Sequence, residues 1–201
     1  APTDVDVLIE GESGVGKGLV AKLIHYSGLR KDRPFLAVNC AIFTEELLAS
    51  ELFGHERGAF TGAVATKQGL IEIANKGSLF LDEIAEMTPT LQAKLLKVIE
   101  DREFMRVGGT RTVKVDVRFI AATNQNINTL VAEGKFREDL YYRLNVMDIY
   151  IPPLRERRED IIPLSKHFLE KQSKKANKKI ANITEEAVGM LMSYGFPGNV
   201  R

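Results

Sequence analysis

Residues 11–17 read Gly-Glu-Ser-Gly-Val-Gly-Lys and follow the apolar run Val5-Asp6-Val7-Leu8-Ile9. Strand, glycine-rich loop, lysine, helix is the order that builds a phosphate cradle. Glycines let the backbone curl round an anion so that successive N–H groups point inward. A helix starting near Lys17 adds its positive dipole end, and the lysine can reach the outer phosphates. A plain glycine turn is the bland alternative, and the strand before and helix after argue against it. The next residue is usually Ser or Thr, whose hydroxyl ligates Mg2+; here it is Gly18. That removes a metal ligand and costs the helix about 1 kcal/mol against alanine. A cation would then lean on phosphates, water and Asp82.

Residues 78–83, Ser-Leu-Phe-Leu-Asp-Glu, form an apolar strand that ends in two carboxylates. Strand C-termini are where ligands of open α/β sheets collect. Asp82 suits Mg2+, directly or through water, and Glu83 suits polarisation of an attacking water. Cradle, metal and water-orienting base are the minimum for phosphoryl transfer to water. Thr123-Asn124 closes another strand, where an amide would reach a phosphate or the water, or would simply cap the strand. Residues 136–144, Phe-Arg-Glu-Asp-Leu-Tyr-Tyr-Arg-Leu, carry Arg137 and Arg143. They read either as ion-pair partners of Glu138 and Asp139 or as arginine fingers. Residues 58–63, Gly-Ala-Phe-Thr-Gly-Ala, put Phe60 at the tip of a small-residue loop. Exposed aromatic tips contact partners, and a buried anchor is the competing reading.

The elements that must position these groups are legible from periodicity. Strands are expected at 5–9, 35–38, 78–81, 117–123 and 147–151. Helices are expected at 17–28, 44–53, 69–75, 89–102, 126–133 and 137–144, with a turn at Gly108-Gly109-Thr110 between short extended pieces. Alternating strands and helices imply a parallel sheet. Pro152-Pro153 is a break, after which helices are expected at about 159–175 and 184–194. The expected organisation is therefore an α/β nucleotide-binding subdomain over 1–152 and a small helical subdomain over 153–201. The basic run 174–179 reads as a solvated helix end.

Composition sets the outer limits. The chain has 201 residues, 44% hydrophobic and 27% charged, with a formal net charge of +1. That is ordinary for a globular protein and gives no global basic field for nucleic acid. One cysteine, Cys40, excludes an internal disulfide framework and suits a reducing compartment. It reads as a small packed side chain. His25, His55 and His167 lack metal-ligand spacing. No apolar run approaches the about 20 residues of a membrane span, and no signal peptide is expected. With no Met at its start and a turn signal cut at Arg201, the sequence is expected to be an excised domain.

These motifs together resemble the AAA+ central domain of sigma-54-dependent bacterial transcription activators, the NtrC-like enhancer-binding proteins. The resemblance rests on residues 11–17, on Glu-Leu-Phe-Gly-His-Glu-Arg-Gly-Ala-Phe-Thr-Gly-Ala at 51–63 and on Leu-Phe-Leu-Asp-Glu at 79–83. It rests also on Ala-Ala-Thr-Asn at 121–124, on residues 136–144, on Pro-Pro-Leu-Arg-Glu-Arg at 152–157 and on Pro-Gly-Asn-Val-Arg at 197–201. It covers essentially the whole chain, and the 58–63 hexapeptide is its most diagnostic part.

The resemblance implies a P-loop AAA+ sandwich with a truncated C-terminal helical lid. ATP would be held by Gly11, Glu12, Ser13, Gly14, Val15, Gly16, Lys17 and Gly18. Asp82 would handle Mg2+, Glu83 would activate water, and Asn39 would be the switch that restrains Glu83. Thr123 and Asn124 match sensor I, Arg201 matches sensor II, and Arg137 and Arg143 match fingers inserted into a neighbouring subunit. Gly58, Ala59, Phe60, Thr61, Gly62 and Ala63 match the loop that engages the sigma-54 factor, and 107–111 the second pore loop. A cytoplasmic, bacterial, hexameric ring that remodels sigma-54 promoter complexes is implied, in relatives often governed by a receiver-type domain of a two-component system. No sequence-specific DNA binding is expected from this segment. Gly18 departs from the family, where Glu usually follows the lysine. A nucleotide-gated sigma-54 binding module with little turnover is the alternative from another class. A different AAA+ machine, such as a clamp loader or helicase, is the third reading.

Overall fold

The computed structural model describes residues 3–178 and 182–201, so Lys179 of the basic run lies outside the described residues. Five strands form the central sheet: β1 (Val7–Glu10), β2 (Phe35–Asn39), β5 (Ser78–Asp82), β8 (Arg118–Thr123) and β9 (Met147–Tyr150). Their order is β2-β5-β8-β1-β9, and every pairing is parallel. Two small ribbons accompany it: β3 (Gly54–His55) with β4 (Lys67–Gln68), and β6 (Glu103–Met105) with β7 (Thr112–Lys114). All six residues of β8 are buried, as a parallel strand covered on both faces requires.

The sheet cannot leave its apolar faces in water, and the helices that cover it are those with the clearest periodicity. In α4 (Pro89–Asp101), Leu91, Leu95, Leu96, Val98 and Ile99 are buried. Proline at the first helical turn fits because its missing N–H has no partner there, and Arg102, left-handed at φ 56°, ends the helix. Leu140 and Leu144 of α6 (Glu138–Leu144) and Leu48, Leu52 and Phe53 of α2 (Glu45–Phe53) complete that core. Burying a side chain of this kind contributes roughly 1.5–3 kcal/mol. Helix α1 spans Lys17–Tyr26, α3 spans Leu70–Ile73 and α5 spans Ile127–Ala132. The expected helix at 69–75 is thus a single turn of four residues, because Lys76 takes φ 68° and turns the chain toward β5.

Spatial neighbours divide the chain into two compact units. One is the chain up to Glu10 together with Lys17–Tyr150; the other is Gly11–Gly16 together with Ile151–Arg201. The second unit contains α7 (Ile161–Lys175) and α8 (Glu185–Ser193), the latter capped by Thr184, whose Oγ1 accepts from the Ala187 amide. The glycine loop thus groups with residues 151–201, although the sequence places it between β1 and α1.

Candidate functional site

In the first unit the order β5-β8-β1 brings two strand ends side by side, so 82–83 and 123–124 share one edge. Asn39 and Asp82 are register partners on β2 and β5, and the Asn39 amide donates to Asp82 Oδ2 at 3.3 Å. The resemblance implied that Asn39 restrains Glu83. Direct cross-strand pairing instead gives its side chain to Asp82. The Asn39 side-chain oxygen also accepts from the Ala41 amide at 2.9 Å.

Glu83 is held by other groups. Lys17 Nζ lies 3.6 Å from Glu83 Oε1, with the lysine side chain 6% exposed and the glutamate 17%. The Asn124 backbone N–H donates to Glu83 Oε2 at 3.0 Å. Glu83 sits at φ 53°, ψ 51°, the left-handed region that costs a residue with a Cβ roughly 1–2 kcal/mol. Strained backbone of this kind gathers at functional positions. Thr123 is fully buried and its Oγ1 accepts from the Gln125 amide, so of the expected sensor pair only Asn124 is exposed. Cys40, beside this edge, has its thiol pushed up to about 12 by burial and then by the Asp82 and Glu83 charges. It is a packed thiol with no nucleophilic character near neutral pH.

Gly18 follows Lys17 inside α1. A Cβ there would lie 3.6 Å from the Phe80 ring, an ordinary contact, so an alanine methyl fits. Arg137 precedes α6 and forms a two-pronged ion pair with Asp139, at 2.7 and 3.0 Å. The ion-pair reading of the sequence therefore describes Arg137 within one chain. Arg143 is exposed. Among the described residues neither arginine makes a hydrogen bond or ion pair to Lys17, Asp82 or Glu83. Gln92, buried on α4, fixes the start of α6 by accepting from the Arg137 amide at 2.8 Å and donating to the Met87 and Lys135 carbonyls. Nothing in the sequence pattern singled it out.

The 58–63 loop closes on itself. Gly58 donates to the Ala63 carbonyl at 2.8 Å, and Ala63 to the Phe60 carbonyl at 3.0 Å. Phe60 is half-buried, its ring edge-on to His55 at 5.0 Å between centroids. The expected open aromatic tip is therefore folded back on a histidine that Ser50 holds at 2.8 Å, whereas Thr61 is exposed. Val107 donates to the Gly54 carbonyl and accepts from the Glu56 amide, both at 3.0 Å, tying the loop's base to the β6–β7 turn. Arg106 of that turn bridges Glu56 at 2.8 Å and Glu72 at 2.9 Å. The sequence reading missed this triad, whose members are 34 and 50 residues apart.

In the second unit Gly11 and Gly14 have φ of 157° and 84°. A Cβ on Gly14 would stand 2.3 Å from the Gly198 carbonyl oxygen and 3.2 Å from Arg201 Cβ. The loop and Arg201 are therefore neighbours. Glu12 takes both Arg155 terminal nitrogens, at 2.9 and 2.6 Å, and the Asn199 amide at 3.1 Å. Those bonds hold its carboxyl far below the usual range, at about 2. That carboxylate thereby ties residues 155 and 199 to the glycine loop. Among the described residues no group of three or more His, Cys, Asp or Glu side chains could hold a metal alone. A cation at Asp82 would need phosphate oxygens and water for its remaining ligands.

Two family profiles match. The Sigma-54 interaction domain covers residues 1–150, and the AAA+ ATPase lid domain covers residues 155–201. Regulatory protein AtoC of Escherichia coli is 55% identical over 201 residues, all of this chain and 44% of that protein. A Nif-specific regulatory protein of Herbaspirillum seropedicae is 54% identical over 201 residues, all of this chain and 37% of its own length. The chain thus spans less than half of these relatives. Among solved structures, NtrX from Brucella abortus in complex with ATP superposes with a TM-score of 0.91 at 43% identity, over 99% of this chain and 43% of that one. A closed-state Hsp104 structure shares the fold, with a TM-score of 0.71 at 20% identity over 98% of this chain and 38% of that one. Among the described residues no helix is long and apolar enough to cross a membrane.

Proposed function

The chain belongs to the Sigma-54 interaction domain family of AAA+ ATPases, and on that premise we propose that it binds and hydrolyses Mg-ATP to drive its 58–63 loop against the sigma-54 factor. The observation that carries the reading is the 3.6 Å approach of Lys17 to Glu83 at the C-terminal edge of the sheet. A phosphate reached by the lysine is then within reach of a carboxylate able to orient water. The nucleotide-binding subdomain is read as 1–152 and the lid as 153–201.

Loop residues 11–16 present backbone N–H groups to the phosphates and Lys17 neutralises their charge. Bound Mg2+ would sit by Asp82 and screen the phosphate charge. Glu83 takes a proton from water once the phosphate draws Lys17 away, and Asn124 steadies the carboxylate through its backbone N–H. Arg201, next to Gly14, supplies a cation from the lid side. Arg137 and Arg143 serve a neighbouring copy's nucleotide in a ring, most simply a hexamer. For Arg137 that means exchanging Asp139 for phosphate. Thr61, the exposed polar residue of its loop, meets sigma-54 first, and Phe60 follows when it leaves His55. This assignment makes the protein a cytoplasmic transcription activator's motor, with no sequence-specific DNA contact from this segment.

The test is Mg-ATP hydrolysis per subunit as protein concentration rises. A steep rise supports sites completed between copies. Nucleotide binding without turnover at any concentration would favour the gated binding module, and absence of nucleotide binding would overturn the reading.

A further inference from the structure

Three consecutive carbonyls of the glycine loop are held by donors from the C-terminal part of the second unit. Ser13 O accepts from Asn199 Nδ2 at 3.0 Å, Gly14 O from the Val200 amide at 3.0 Å, and Val15 O from Arg157 Nη2 at 2.9 Å. In a trans peptide the N–H that follows a carbonyl points the opposite way. Fixing these oxygens on one side therefore turns the amides of Gly14, Val15 and Gly16 to the other. The Val15 amide also makes a long 3.4 Å bond to the Glu12 carbonyl.

Asn199 is the centre of the arrangement. It is 6% exposed and left-handed at φ 55°, a conformation asparagine tolerates better than other residues with a Cβ. Its Oδ1 accepts from the Leu154 amide at 2.8 Å, while Nδ2 serves both Ser13 O and Glu12 Oε2. Arg155, next to Leu154, clamps the same Glu12 carboxylate. Only a side chain with one acceptor and a two-proton donor meets all three demands. A carboxylate in its place would face both the Glu12 carboxylate and the Ser13 carbonyl.

We propose that Asn199 and Arg157 are positioning residues for nucleotide binding, bracing the loop's carbonyls so that its amides stay directed at phosphate. The proposal rests on the nucleotide-binding reading above. These residues act through the loop: the side-chain bonds named here end on loop carbonyls, the Glu12 carboxylate and the Leu154 amide. Weakening the brace should therefore reduce affinity far more than the rate of a saturated site.

The experiment titrates a fluorescent ADP analogue into the 201-residue chain and follows hydrolysis at saturating ATP, with apo melting curves in parallel. Asn199→Asp is expected to weaken binding roughly tenfold or more, with saturated turnover changed less than about threefold. Adding Glu12→Gln to Asn199→Asp removes one of the two repulsions and lets the new amide donate to the new carboxylate, so affinity should recover in part. Arg157→Lys, which keeps the charge and loses the planar donor, is expected to raise Kd severalfold. Wild-type affinity in both Asn199→Asp and Arg157→Lys overturns the brace. So does loss of affinity that the added Glu12→Gln leaves untouched while apo melting falls in step, because that is general destabilisation. Lys17→Ala separates the two readings. If the parent chain binds and Lys17→Ala does not, the nucleotide reading stands whatever the brace variants do. If the parent itself fails to bind, that reading has failed and the brace with it.

Discussion

Two glycine loops define this molecule, and they use glycine for different reasons. In the 11–16 loop a Cβ on Gly14 or Gly11 would drive into a backbone carbonyl, at 2.3 and 2.6 Å. Its own carbonyls are fastened by Asn199, Val200 and Arg157. In the 58–63 loop, Gly58 and Gly62 have left-handed φ of 81° and 102°, yet a Cβ on either would meet nothing within 4 Å. That loop is held by its own turn bonds and by one histidine edge. The first is fixed by side chains and backbone distant in sequence, the second mainly by its own turn and a few contacts at its base, a difference that suits the proposed roles of holding an anion still and of moving against a partner.

Gly14→Ala attacks the fixed loop through space and backbone together. Nucleotide affinity should fall more than about 100-fold, and a wild-type titration curve would erase the contrast between the loops. Glu83→Gln leaves both loops intact and removes only the carboxylate proposed to act as the base. Saturated hydrolysis should drop roughly 100-fold or more, with nucleotide affinity within a few-fold of the parent in the same titration. Gly62→Ala strains the self-supported loop alone, at about 1–2 kcal/mol. Nucleotide binding should survive while co-sedimentation with sigma-54 in the presence of a transition-state analogue is lost. Equal damage to both functions would show that the loops are one rigid body.

A smaller effect follows from Glu12. Its folded value of about 2 lies below the ordinary 4.5 because Arg155 and Asn199 bond the charged form. The carboxylate's contribution is then fully present above pH 4.5 and is lost as pH falls toward 2. Carboxyl chemical shifts should follow that low midpoint, and Arg155→Met should move it upward. Least of all, Gly18→Ala has room beside Phe80 and should stabilise α1 by no more than about 1 kcal/mol in thermal unfolding.

The sheet and its helices were legible because each depends on local pattern. The buried run of β8 and the apolar face of α4 announce themselves within a few residues. The chemistry-bearing residues were legible as residue types, but their partners were not. Asn39 faces Asp82 because two strands share a register set by the whole sheet, which no short window contains. Phe60 turns inward because His55, across a turn, offers its ring. The Asn199 contacts to residues 12–13 span 186 and 187 residues. An asparagine after Pro-Gly reads from sequence as a turn residue, and its second role exists only once the chain has returned.

The left-handed backbone at Glu83 sets local strain against charge pairing. Glycine would relax the backbone there by roughly 1–2 kcal/mol, but it would also withdraw the carboxylate that faces the nearly buried Lys17 ammonium and accepts from the Asn124 amide. Stripping a largely buried cation of its carboxylate costs more than the relaxation returns. The strain at this strand end is thus the cost of placing one negative charge where the fold has already buried a positive one.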